Sequence, residues 1–343
     1  MTEPPRPEDH PLPQEPVSLE PPGPAPRRHG LTTFTIEGRD APGLFVVGWL
    51  ATLIGVGLGT LTVLGVPGAA GALLWVAALA LVALGLVLLG GSHTIERRGA
   101  GAAYAGPSPV LVFAAVVVIS QLAGVAVGLP LSAIGAAIPR PLGDLLAGLV
   151  QGAVFVGVVR LMVVGAGALA WAEMGLRGGR ANIVQGIVGG AVFAGPVVLV
   201  TAILALVAVQ LAGVIPPSPL PPTGTIGGLV LHLLAGAVVA PFAEEVLFRG
   251  FALTAWRRSV GTRGAIVRSS IVFVLAHVLF VGGDTFGEAA RLALVGGVVR
   301  LPIAFVLGWL YVRTGSLWGP IGLHAAFNAI LIVIAETAAA PGP

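Results

Sequence analysis

From about Phe45 to the C-terminus, long apolar runs alternate with short polar breaks. The runs fall at about 45–66, 69–91, 109–128, 145–171, 183–213, 226–250, 264–282, 289–313 and 317–338. A helix needs roughly 20 apolar residues to cross the hydrocarbon core of a bilayer, and every run approaches or exceeds that length. The longer runs must tilt or extend beyond the bilayer. Arg291, Arg300 and Pro302 interrupt the eighth run. The pattern therefore predicts an all-α polytopic transmembrane helix bundle of nine spans, or eight if that run is re-entrant. The many Gly and Ala residues along the runs permit helices to pack closely.

Residues 1–40 break the pattern. "TEPPRPEDHPLPQEPVSLEPPGPAPRRHG" is rich in proline and charge, with too little apolar surface to fold, and is expected to be a disordered cytoplasmic tail. No basic stretch leads directly into an apolar segment, so it does not read as a signal peptide. The expected organisation is this tail, N-terminal transmembrane helices over 41–172 and a functional core over 173–340.

Composition agrees with the pattern: the chain is 56% hydrophobic and only 10% charged, with a mean hydropathy of +0.98. The absence of cysteine excludes disulfides, thiolate metal sites and a cysteine nucleophile. All 18 basic residues are arginine, a bias that a GC-rich genome explains, so the high isoelectric point does not imply a nucleic-acid partner. The arginines cluster in alternate loops: Arg27, Arg28 and Arg39 precede the first run, Arg97 and Arg98 follow the second, Arg177 and Arg180 the fourth, and Arg257, Arg258, Arg263 and Arg268 flank the break after the sixth. The intervening loops are arginine-poor. This asymmetry predicts a multi-pass protein of the cell membrane with a cytoplasmic N-terminus.

Within the runs the ionisable groups are few, and each is a functional candidate because burying it in lipid is costly. Glu244, Glu245 and Arg249 lie in the sixth run, with His232 before them; His277 lies in the seventh, His324 and Asn328 in the ninth, and Arg160 in the fourth. Glu245 and Arg249 are four residues apart, as are His324 and Asn328, so each pair shares a helix face. Arg249 can neutralise Glu245. Glu244 points about 100° away around the helix and has no local partner, which leaves His277 and His324 on neighbouring helices. His232 and Arg160 read as structural; Arg160 can pair with Glu173 or extend to an interface.

"EEVLFR" at 244–249, "FVLAH" at 273–277 and "HAAFN" at 324–328 fit EExxxR, FxxxH and HxxxN in that order. This signature resembles the CPBP intramembrane proteases, the family of the CAAX prenyl endopeptidases and of the bacteriocin-processing (Abi) proteins. The resemblance covers roughly residues 175–338, and no motif position departs from the pattern. It implies a membrane chamber in which Glu244 activates water with His277 as partner, His324 and Asn328 stabilise the oxyanion, and Glu245 and Arg249 support them. The residue chemistry fits independently: peptide hydrolysis needs a base and donors aimed at the developing oxyanion.

Two His and one Glu, here Glu244, His277 and His324, also form a ligand set for a catalytic zinc. No HExxH is present, and a metal-independent mechanism with no cofactor is preferred. There is no rhomboid-type GxSG, and "VGGD" at 281–284 lacks the first glycine of GxGD. The expected partners are the lipid bilayer and a peptide or membrane-protein substrate that reaches the chamber from the cytoplasmic side or laterally. The alternatives are a catalytically inactive scaffold or immunity-type binding protein of the same fold, and a proton-coupled transporter, for which no inverted repeat is visible.

Overall fold

The computed structural model describes residues 38–135 and 137–339; the tail expected over 1–40 therefore falls almost wholly outside it. Helices account for nearly all regular structure, and no strand occurs among the described residues. In chain order they are α1 (Pro42–Gly65), α2 (Gly68–Gly99), α3 (Pro109–Ala133), α4 (Arg140–Val164), α5 (Arg180–Ala212), α6 (226–260), α7 (262–278), α8 (Phe286–Val298), α9 (Leu301–Thr314) and α10 (Trp318–Ala339).

Eight helical stretches are long and apolar enough to cross a membrane. The nine runs of the sequence map onto them because two share one stretch. Ile226–Val278 is 53 residues long, about twice what a bilayer accepts. It turns back at Gly261, whose φ of 73° and ψ of 176° suit a residue without a Cβ. The hairpin this makes of α6 and α7 is closed by Ser269 Oγ, which donates to Phe248 O at 2.9 Å, and by the rings of Phe248 and Phe273, edge to face at 5.3 Å. The interrupted eighth run is likewise one stretch, Phe286–Thr314, with a break at Val299–Arg300 between α8 and α9. Pro302 explains the break, since it offers no N–H to the carbonyl four residues back.

The fourth run ends sooner than its hydropathy suggests. α4 finishes at Val164, and Gly167, with a φ of 67°, leads into an irregular segment that carries Glu173. That carboxylate accepts from the Ala170 N–H at 2.6 Å and from Arg258 at 2.5 Å, and the two bonds, the backbone one foremost, hold it below the ordinary glutamate range. Glu173 thus pairs with Arg258 and not with Arg160, which is exposed and free to extend toward the membrane surface.

Local signals start and stop the core helices. Thr225 accepts from Gly228 N–H at 3.1 Å to begin α6, and Thr285 accepts from Glu288 N–H at 3.2 Å to begin α8. Gly213 and Gly315, at φ of 66° and 62°, end α5 and α9 in the left-handed conformation. Inside α6, Leu234–Val239 and Val246–Leu253 are π-helical and flank Ala240–Glu245. Pro241 cannot donate to the ladder here, and the wider turns absorb the lost bond.

The core lies among α4, α6, α7, α9 and α10, around Leu247, Phe248, Phe251, Phe273, Leu307 and Leu323. Against it α5 and α10 approach backbone to backbone: a Cβ at Gly190 would collide with Gly319 O, and one at Gly322 with Ile187 O. Small residues permit this contact, as is usual between helices in lipid, and it sets the depth and rotation of the α10 segment that carries His324. Replacing Gly322 with Ala is expected to cost about 1–3 kcal/mol by overpacking, read as a lower unfolding midpoint in detergent. An unchanged midpoint would mean that the two helices do not touch there.

Candidate active site

The motif residues come from three helices that meet around one chamber. α6 brings Glu244, Glu245 and Arg249, α7 brings Phe273 and His277, and α10 brings His324 and Asn328. Successive residues of α6 diverge by about 100°, so Glu245 turns into the bundle and is fully buried while Glu244 is only half-buried.

Glu245 is the centre of a polar chain. Its Oε1 accepts from Arg249 Nη1 at 3.0 Å and from His324 Nδ1 at 2.9 Å. Arg249, also fully buried, donates through Nη2 to Ala304 O of α9 at 3.0 Å. Its guanidinium lies over the Phe273 ring at 4.4 Å, a cation–π contact worth most where water is excluded. The first residue of the FxxxH segment is therefore the platform for the arginine of EExxxR.

These bonds fix the tautomer of both histidines. Phe273 O can only accept, so His277 Nδ1, 2.7 Å away, carries the proton; the Glu245 carboxylate imposes the same on His324 Nδ1. The neutral form of each ring then presents a bare lone pair at Nε2. Both Nε2 atoms face Glu244 Oε2, His277 at 3.7 Å and His324 at 3.9 Å. That oxygen is buried and has no hydrogen-bond partner. Three acceptors thus converge without a donor between them, an arrangement that attracts a proton donor or a cation.

His277, His324 and Asn328 line one cavity of about 280 Å³, together with Thr201, Phe273 and Arg300. Glu244 is not part of that wall and meets it through the two Nε2 atoms. The cavity runs on to Ser218, Pro219 and Leu220 in the loop after α5 and to Ala335 near the end of α10. The opposite end of α5 carries Arg177 and Arg180, and Trp318 at the start of α10 donates to Arg177 O at 3.2 Å. The chamber therefore extends toward the arginine-poor end of the bundle, whereas the expected approach is from the arginine-rich side or laterally. A larger cleft of about 720 Å³ lies at that arginine-rich end between α5 and α9, and it holds none of the motif residues.

Asn328 departs from its expected part. It shares the cavity with His324, yet its Nδ2 donates to Gly236 O at 2.7 Å, a carbonyl in the first π-helical segment of α6. The two side chains do not converge on one oxygen as they stand. His232, read as structural, is indeed satisfied: Nε2 meets Asp144 Oδ2 of α4 at 3.1 Å. The sequence reading missed Thr201, a buried hydroxyl with no partner, and treated Arg300 only as an interruption. Arg300 carried a usable signal, because a charge in the middle of an apolar run is a candidate in its own right.

A divalent ion would accept this donor set with Glu244 ionised and both rings neutral, since each Nε2 then offers a lone pair. The 3.7 and 3.9 Å separations exceed the roughly 3.3 Å between ligands on a tetrahedral zinc, so the set must contract to hold one. Among the described residues, no group of three His, Asp or Glu is placed to do so as it stands.

Residues 226–330 match a family model described as type II CAAX prenyl endopeptidase Rce1-like. The matched segment is a little under a third of the chain and contains all three motifs, so the family resemblance holds there. No curated protein and no solved structure matches the chain.

Removing one partner of a buried ion pair strands the other charge. Arg249→Met is expected to destabilise the protein by about 3–5 kcal/mol, and adding Glu245→Gln should recover part of that loss. Thermal unfolding in detergent reads both changes; a single variant as stable as the parent would show that the pair is not what holds α6 against α9.

Proposed function

We propose that this chain is an intramembrane endopeptidase that hydrolyses a peptide bond with a water activated by Glu244. The observation that carries the reading is the approach of Glu244 Oε2 to Nε2 of both His277 and His324, at 3.7 and 3.9 Å. Such gaps are too long for direct hydrogen bonds and short enough for one water to bridge. A water brings two protons to three acceptors, so its lone pairs are left to face a substrate carbonyl. The family match over 226–330 supports a protease.

In this reading Glu244 takes a proton as the water oxygen attacks the carbonyl carbon. His277 and His324 hold the water, and their tautomers are set by Phe273 O and by Glu245. The tetrahedral oxyanion then collapses, the C–N bond breaks, and the proton on Glu244 passes to the leaving nitrogen. Asn328 retains one amide N–H besides that given to Gly236 O, and offers it to the carbonyl from the same cavity. If a zinc ion binds, Glu244, His277 and His324 would hold it and it would act as a Lewis acid toward water and carbonyl. Glu245 and Arg249 keep His324 oriented and neutralise each other.

The N-terminus lies in the cytoplasm in this proposal, following the arginine asymmetry, and the substrate is a peptide or membrane protein that meets the chamber at the arginine-poor end or between helices.

Glu244→Gln keeps the shape of the side chain and removes the base. It should lower turnover by about 10²–10⁴-fold while the unfolding midpoint stays close to the parent's. Comparing membrane-protein termini in cells with the native chain and with this variant should find new termini that vanish in the variant. Identical termini from two equally folded and expressed proteins would sink the protease reading in favour of a binding or scaffold role. Elemental analysis of the purified protein, with activity before and after chelation, separates the two mechanisms: stoichiometric zinc and chelator-sensitive activity would overturn the metal-independent one.

A further inference from the structure

The chamber as built is rich in acceptors and poor in donors. Glu244 Oε2, His277 Nε2 and His324 Nε2 all accept, the Nδ1 protons of both histidines are committed elsewhere, and Asn328 has given one N–H to Gly236 O. Amide hydrolysis needs the opposite as well: positive groups at the position where the carbonyl oxygen gains charge. Arg249 does not line the cavity, and its guanidinium is shared between Glu245, Ala304 O and the Phe273 ring.

Arg300 is the one arginine in the cavity wall, beside His277, His324 and Asn328. It stands 14 residues from each end of the Phe286–Thr314 stretch, about 21 Å of helix in either direction, too far for its side chain to reach the interface. The break between α8 and α9 falls at Val299–Arg300 and frees this residue from regular helix. Its Nη1 donates to Gly296 O at 2.7 Å, the only hydrogen bond of its side chain among the described residues. No carboxylate lies within ion-pair distance of it among those residues. A half-buried guanidinium at mid-span with most of its donors unspent is costly unless something anionic meets it. Its one side-chain bond caps a carbonyl in the last turn of α8 and leaves the other guanidinium N–H groups without a protein partner among the described residues.

We propose that Arg300 is a catalytic residue of the hydrolysis, its guanidinium donating to the substrate carbonyl oxygen as that oxygen becomes the tetrahedral oxyanion. The assignment rests on the protease reading above. Water oxygen bonds to the carbonyl carbon, its proton goes to Glu244, and the electron pair of the C=O bond moves to the oxygen that Arg300 holds. The pair returns as the C–N bond breaks, and the leaving nitrogen takes the proton from Glu244. Arg300 gains and loses no proton.

The test uses the full-length protein in detergent and a fluorogenic peptide spanning a cleavage site found by comparing termini between the native chain and Glu244→Gln. Arg300→Ala should lower kcat by about 10²–10³-fold and move KM less than about threefold, because the contact strengthens only in the transition state. Arg300→Lys should keep part of the rate, and added guanidinium ion should restore activity to Arg300→Ala but not to Glu244→Gln. A purely structural arginine would give neither the rescue nor the split between kcat and KM. If Arg300→Ala does not fold, Arg300→Gln and Arg300→Lys carry the same comparison. The peptide is assayed with a free and with an amidated C-terminus. A defect confined to KM, or to the free-acid peptide, would make Arg300 an anchor for a substrate carboxylate and overturn the oxyanion assignment, as would full activity in folded variants. Absence of any Glu244-dependent cleavage by the native chain would instead remove the protease reading itself.

Discussion

The polar chain Arg249–Glu245–His324 is the constraint on which the site depends. A carboxylate with no exposed surface inside a membrane bundle survives only if it is neutralised and hydrogen-bonded, and Glu245 obtains both from residues on two helices. The consequence reaches beyond stability. By accepting the Nδ1 proton of His324, Glu245 decides which nitrogen faces the cavity. Phe273 then ties the third helix in, lying under Arg249 and 4.5 Å from the His277 ring, centroid to centroid. The three sequence motifs are one packing unit.

The backbone around this unit is unusually irregular for membrane helices. Two π-helical segments bracket Ala240–Glu245, α6 doubles back at Gly261, and α8 gives way to α9 at Arg300. Each irregularity frees backbone polar groups, which is affordable within a bilayer only where protein or a polar cavity satisfies them. Here the freed groups are put to use: Gly236 O takes Asn328, and the break before Pro302 turns Arg300 into the chamber. α5 and α10 supply the counterpoise, a contact of bare backbone at Gly190 and Gly322 rigid enough to hold His324 where Glu245 can reach it.

Charge and shape divide the molecule into two ends. The arginine-rich end has the larger cleft and none of the chemistry. The smaller cavity with the histidines runs toward the proline-rich loop before α6, where Glu336 of α10 accepts from the Thr223 and Gly224 N–H groups at 2.9 and 2.5 Å. Leu220 of that loop packs where a side chain at Gly236 would otherwise sit. The loop is thus tied to α10 beside the cavity that Ser218, Pro219 and Leu220 help to line.

Local periodicity alone determined much of this protein. Runs of apolar residues fix the spanning helices because a bilayer demands a certain length, and spacing of four residues puts Glu245 with Arg249 on one face whatever the fold. The motifs pointed to Glu244, His277 and His324 as neighbours, and Glu244 Oε2 lies 3.7 and 3.9 Å from the two Nε2 atoms. What the sequence could not decide were the contacts between residues with no spacing in common. Glu173 chose Arg258 over Arg160, His232 found Asp144, Asn328 turned to Gly236 O, and Arg300 entered the chamber. Each of these depends on how one helix is rotated and displaced against another, and that is set by the summed packing of side chains on all the helices, a property no single segment carries.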